Sequence, residues 1–306
     1  MSWILFAFVS PVLLSLTSHL DKYLFDKHFN SGGVGGLTIF SSFVCVLTLP
    51  IAWFFSTKNI LEISFLPVTI LIVMGILSTL AVLSYLLALE NEEVTVVVPF
   101  FQTIPIFSLI LGYLFLGETI TKLQIIGMLI IIAGSIVLSL ELDEVNNFRF
   151  KTKVVLLALM SAFLFTFNGI IFKIITPENF FWNSIFWENV GIILGGLLLF
   201  FISNECKKSF RWIMEKNKKT ALALNISRGV ISLVGNISIE YALLLAPVAL
   251  VFLADSYEPI FVLAWAIIFY FVFPKIFREK LIRKGMLREA ISILIICFGT
   301  TLIFIF

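Results

Sequence analysis

The sequence predicts an all-α integral membrane protein of ten transmembrane helices, arranged as two inverted five-helix repeats. Three observations carry that expectation. Apolar residues make up 60% of the 306 positions and charged residues 13%, against about 45–50% and 25% in soluble domains. Apolar runs of roughly 20 residues recur along the chain, the length a helix needs to cross about 30 Å of hydrocarbon. These runs can also be laid, five upon five, over one another. With a mean hydropathy of +1.10, no soluble domain is left over, and the alternation of a membrane barrel is missing.

The first span, residues 3–20, opens the chain in "MSWILFAFVSPVLLSLTSHLDKY". It has neither a basic leader nor a small-residue cleavage site, so it reads as a retained helix. His19 and Asp21, at its end, read as interfacial, with His19 also a candidate for a gate or proton path. Polar breaks then delimit spans at 34–55, 67–89, 94–116 and 122–140. The turn "LENEEV" places Glu90, Glu92 and Glu93 in solvent between spans three and four. Thr121 and Gln124 have the spacing of a capping box that starts span five, with Glu118 just before that positive helix end.

A charged stretch, "SLELDEVNNFRFKTK", divides the chain into halves 1–143 and 144–306. Spans six to ten follow at 154–175, 183–202, 220–244, 247–273 and 289–306. Their longer connections, "SNECKKSFRWIMEKNKKT" and "PKIFREKLIRKGMLRE", are strongly basic. Four matches in order relate the halves. Lys22 corresponds to Lys173, Tyr85 to Tyr241, and the "PIF" at Pro105 to that at Pro259. Gly127 and Gly134 correspond to Ser292 and Gly299. An odd number of spans per half lays the halves antiparallel in the bilayer, the architecture that permits alternating access in many transporters.

Charge placement says more than the formal net charge of +2. Alternate connections carry 17 Lys and Arg on one side and only Lys58, Lys122 and Lys173 on the other. The positive-inside rule puts the basic side in the cytoplasm and both termini outside. The basic connections read as contacts with anionic lipid. One basic residue remains: Arg228, inside a span. Cys45, Cys206 and Cys297 lack metal-ligand spacing and read as apolar packing.

Charge inside a span costs roughly 2.5 to 3.5 kcal/mol per residue, so it needs a partner or a wet cavity. Spans seven to nine hold Glu188, Arg228 and, in "ADSYEPIFVL", Asp255 and Glu258. At about 1.5 Å rise per residue, Arg228 and Glu258 lie level, roughly 16 to 18 Å from the face where span nine begins. Asp255 lies at roughly 12 Å and Glu188 at roughly 8 Å. Two readings stand open. In one, a carboxylate neutralises Arg228 while another of Glu258, Asp255 and Glu188 binds a proton or cation. In the other, Arg228 takes the carboxylate of an amino-acid-like substrate and an acid takes its amine. Pro259 and Pro105 cannot donate to the carbonyls of Asp255 and Phe101, so both helices should kink there. Gln102, Tyr85, Tyr241, Asn168 and Asn236 complete the candidate substrate contacts, with Thr103 beside them.

Span four and its exit read "VVVPFFQTIPIFSLILGYLFLGETITKLQIIGMLIIIAGSIVLSLE". This resembles the EamA-like branch of the drug/metabolite transporter superfamily, whose repeat has a proline-containing fourth helix, a terminal Gly-Glu, a polar turn and a glycine-bearing fifth helix. The matching positions are Pro99, Pro105, Gly117, Glu118, Thr121, Gln124, Gly127 and Gly134. In the second half "FPKIFREK" replaces the Gly-Glu turn. The resemblance implies a ten-helix carrier of small metabolites, often an exporter of amino acids or related compounds, with termini commonly inside rather than outside; the expected location is the plasma membrane. The sequence has no His-Glu-x-x-His or Gly-x-Ser-x-Gly motif and only two histidines, which argues against an intramembrane enzyme. A sensor or scaffold without flux is the rival class. The expected partners are a small-molecule substrate and the lipid bilayer, with a homodimer allowed, and no nucleic acid, cofactor or metal.

Overall fold

Inside a bilayer no water satisfies backbone N–H and C=O groups, so each crossing segment must bond to itself as a helix. The computed structural model describes residues 2–27, 33–56, 59–90, 97, 100–139, 152–216, 219–272 and 286–305, and among them no strand occurs. The chain begins with α1 (Ser2–Lys27). Next come α2 (Val34–Val44) and α3 (Thr48–Phe55), joined by a 3-10 turn at Cys45–Leu47. α4 (Phe65–Glu90), α5 (Ile104–Leu116) and α6 (Lys122–Ser139) complete the first half. The second half holds α7 (Thr152–Ile175), α8 (Phe181–Ile202), α9 (Asn204–Lys216) and α10 (Lys219–Leu245). It closes with α11 (Val248–Leu253), a 3-10 turn at Ala254–Tyr257, α12 (Glu258–Val272) and α13 (Met286–Ile305).

Seven stretches among the described residues are long and apolar enough to cross a membrane: Trp3–Leu24, Val34–Phe55, Phe65–Glu90, Thr152–Ile175, Phe181–Ile202, Ala223–Leu245 and Val248–Phe269. Three shorter apolar helices, Ile104–Leu116, Lys122–Gly134 and Ile291–Ile303, fall where spans four, five and ten were expected. Glu92, Glu93, Pro99, most of the stretch before Ile104 and the basic segment 273–285 lie outside the described residues.

Two expectations about local structure are corrected. The stretch from 204 is not a loop but α9, whose Cys206, Phe210 and Ile213 recur at helical spacing. Ile213 is buried with Leu24, Val34, Leu89 and Val154. Its approach needs glycine: a β-carbon at Gly36 would meet Ile213 Cδ1 at 2.6 Å, and the Gly36 N–H donates to Ser209 Oγ at 3.0 Å. The first span is also longer than expected, running to Lys27 and carrying Asp21 into the protein, where it is 1% exposed.

The small-residue pairs meet one another. α6 and α13 pack closely, with Gly127 facing Gly299 and Gly134 facing Ser292 and Ile296. The residue numbers run in opposite directions, so the two helices are antiparallel. A β-carbon on Gly127 would lie 2.8 Å from Gly299 O, too near for any side chain. Lipid is as apolar as leucine, so close backbone packing of this kind replaces the hydrophobic drive between membrane helices.

The Gly-Glu turn has a structural origin. Gly117 ends α5 in the left-handed region (φ 63°), which lets Glu118 N–H reach back to Gly112 O at 3.2 Å. Gly117→Ala should cost about 1–2 kcal/mol, the penalty of a β-carbon in that region. A β-carbon there meets open space, so the cost is one of backbone conformation alone. Thermal unfolding in detergent checks it, with Gly117→Asn expected to lose less because asparagine tolerates the left-handed region.

Candidate functional site

Serine and threonine enter these apolar helices cheaply because their hydroxyls bond back to a preceding carbonyl. Thr17 donates to Leu14 O (2.8 Å), Thr38 to Val34 O (2.9 Å) and Ser42 to Thr38 O (3.0 Å). Such residues on α1, α2 and α4 form one wall of a cavity of about 240 Å³, near the lower end for small-molecule sites. α7, α8 and α10 also line it, and the turn before α12 enters it.

Arg228, Asp255, Glu258, Glu188, Tyr85, Asn168 and Asn236 all line this cavity. Gln102 and Tyr241 do not. Gln102 is 1% exposed in the turn before α5, with no partner for its Oε1 among the described residues. Tyr241 turns away, packing edge-on against Phe6 and Phe181. His19 also lies outside the lining and ties α1 to α12, its Nε2–H donating to Val262 O at 2.9 Å. Cys45 is buried in the cavity wall itself, whereas Cys297 is exposed.

The partner of Arg228 is the main correction. It grips Asp21 with two parallel bonds, Nε to Oδ1 and Nη2 to Oδ2 (3.0 Å), and gives Nη1 to Ser41 Oγ at 2.5 Å. Neither Asp255 nor Glu258 takes that role. Glu258 is reached instead through α1. Ser18, one turn from Asp21 on α1, shares its hydroxyl between Leu14 O (3.0 Å) and Glu258 Oε1 (3.4 Å), and accepts from Tyr85 OH at 3.2 Å.

Glu240 was not anticipated, yet it lines the cavity close enough to Glu188 for their charges to interact. Asp255 and Glu258 form a second like-charged pair. Five carboxylates therefore share the lining with one guanidinium. Once Asp21 is matched with Arg228, four acids remain, worth roughly 10–14 kcal/mol on membrane insertion scales if all were ionised without compensation. The cavity can hold such a group only by binding protons, water or a cation.

The breaks predicted at the prolines are present. A 3-10 turn at Ala254–Tyr257 interrupts the span just before Pro259 and carries Asp255 to the cavity. In the first half a turn at Gln102 and Thr103 precedes Pro105. The capping box also forms, Thr121 N–H to Gln124 Oε1 (3.1 Å) and Gln124 N–H to Thr121 Oγ1 (3.2 Å).

Glu118 serves a different helix from the one expected. It accepts Lys173 Nζ at 2.7 Å and the Val248 N–H at 2.7 Å, capping α11, while Lys173 also donates to Ala246 O at 2.6 Å. This knot joins the exits of α5, α7 and α10. Glu118→Ala would leave the Lys173 ammonium with Ala246 O and no counter-charge and would strand a helix N–H, at an expected cost of about 1–3 kcal/mol in thermal unfolding. Glu118→Gln keeps an acceptor for Val248 and should lose less.

Residues 1–140 match the family described as the EamA-like transporter family. That unit is EamA-like. The family consists of membrane transporters of the drug/metabolite type, not enzymes, and the seven apolar helices are those of a multi-pass membrane protein. The EamA-like match ends near the close of α6, but the fold likeness continues. A solved chain described as "Crystal structure of protein" superposes with a TM-score of 0.66 at 13% identity, covering 99% of this chain and 96% of that one. At that identity the likeness concerns the fold alone. No curated protein matches the sequence.

Proposed function

We propose that the chain is a secondary transporter, an exporter at the plasma membrane, that carries a small polar metabolite such as an amino acid or related compound by alternating access. Two inverted five-helix repeats, 1–143 and 144–306, move about the central cavity, and its acids couple the cycle to protons. The observation that carries this reading is the acid-rich cavity itself, lined by elements of both halves. Apolar clusters lie at its two ends. One gathers Leu24, Val34, Leu89 and Ile213, and the other Ala7, Ile170, Ala246 and Val248. Thinning one seal while the other stays packed would expose the site to one side at a time.

The reading is tested with purified protein in sealed liposomes carrying an imposed pH gradient. Labelled amino acids and related small solutes should accumulate against their own gradient, and collapse of the pH difference should stop them. Flux indifferent to pH would remove proton coupling. Ligand binding without flux of any solute would replace the carrier with a sensor.

A further inference from the structure

We propose that the solute is recognised by a protonated amine, held at an acceptor-only subsite made by Glu188, Glu240 and the amide oxygens of Asn189 and Asn168. The word solute rests on the transport reading; the binding site does not. Asn189 is 5% exposed and gives its Nδ2 to Ile185 O at 2.8 Å, an oxygen that can only accept. Its Oδ1 is thereby fixed as the atom without a partner. Asn168, also 5% exposed, gives Nδ2 to Ser78 Oγ at 2.7 Å, and its Oδ1 is likewise unpartnered. Glu188 Oε2 is a third buried oxygen with no partner among the described residues, and all three residues line the cavity.

The orphan atoms of Glu188, Asn189 and Asn168 are all acceptors, with the Glu240 carboxylate near Glu188. An ammonium group supplies three donors and a positive charge and has no acceptor to clash with them. A carboxylate end finds less, because three of the five Arg228 N–H donors are already engaged, two by Asp21 and one by Ser41. Phe165, Phe172 and Ile192 supply apolar wall for a short alkyl chain. A bare metal ion fits less well. The cavity far exceeds one ion, and among the described residues no group of three or more His, Cys, Asp or Glu is placed to hold a metal.

The test uses three four-carbon probes on the purified full chain: 1,4-diaminobutane, 4-aminobutanoate and succinate, at matched ionic strength, with sodium chloride as a fourth arm. Thermal stabilisation should be largest for the diamine, about tenfold or more weaker in apparent affinity for 4-aminobutanoate, and absent for succinate and sodium. Glu188→Gln should weaken the diamine about tenfold or more, with Glu240→Gln taking its place if that variant does not purify. Succinate stabilising as well as the diamine overturns the proposal, and so does sodium alone reproducing the effect. A diamine that binds while no solute crosses liposomes sinks the transport reading and leaves this site standing. Gradient-driven flux of an acidic solute without diamine binding does the reverse.

Discussion

Arg228→Leu is expected to cost about 3–5 kcal/mol of stability, because it leaves the Asp21 carboxylate buried without its cation. At roughly 2 °C per kcal/mol for a chain of this size, the unfolding midpoint in detergent should fall by roughly 6–10 °C. Geometry makes the loss large: the pair is bidentate, with side chains 7% and 1% exposed. Replacing both members with apolar residues is often close to neutral, so Asp21→Leu combined with Arg228→Leu should recover most of the loss. A double variant as unstable as the sum of the singles would show that the two residues act independently. An Arg228→Leu protein with an unchanged midpoint but no ligand stabilisation would return the guanidinium to substrate binding and contradict the pairing with Asp21.

That correction shows where the sequence stops being legible. Burying a charge is a one-dimensional signal, so Arg228, Asp255, Glu258 and Glu188 stand out in apolar runs, and the structure brings all four to one cavity. Partner choice is three-dimensional. Asp21 looked interfacial because the polar run after Leu20 suggested a helix end, whereas α1 continues to Lys27 and brings the carboxylate opposite α10. Glu240 could have been found by the same cost argument that flagged Arg228, since it lies within the apolar window Ala223–Leu245.

Local chemistry was more readable. The Thr121–Gln124 box and the breaks before Pro105 and Pro259 follow from capping and from the missing proline N–H. Gly127 packs against Gly299 and Gly134 against Ser292, each opposite the other's sequence counterpart, because small residues are where membrane helices can approach. α9 was obscured by composition: its many charges suggested a loop, while the spacing of Cys206, Phe210 and Ile213 already pointed to one buried helical face. Tyr85 and Tyr241 are matched by sequence alone, and only Tyr85 reaches the cavity. Sequence correspondence does not carry side-chain direction with it.

Glu258→Gln is expected to abolish pH-driven accumulation in liposomes, to the level of protein-free vesicles, while leaving exchange of solute across the same membrane. The reasoning follows from where the residue sits. Glu258 begins α12 immediately after the break and bonds to Ser18 on α1, so it meets both the cavity and the segment most able to change angle. A proton on this carboxyl lowers the cost of turning it toward an apolar seal, whereas the ionised form is held to the wet site. Glutamine resembles the protonated state in shape and charge but cannot release a proton, so the carrier could still reorient without being driven. Asp255→Asn, one turn away, separates this from a general loss of charge. If Asp255 only shapes the cavity, its variant keeps gradient-driven uptake; if the two acids share the coupling, it loses part of it. Full gradient-driven uptake by Glu258→Gln would remove this residue from the proton path, and loss of exchange as well would point to a packing role at the break.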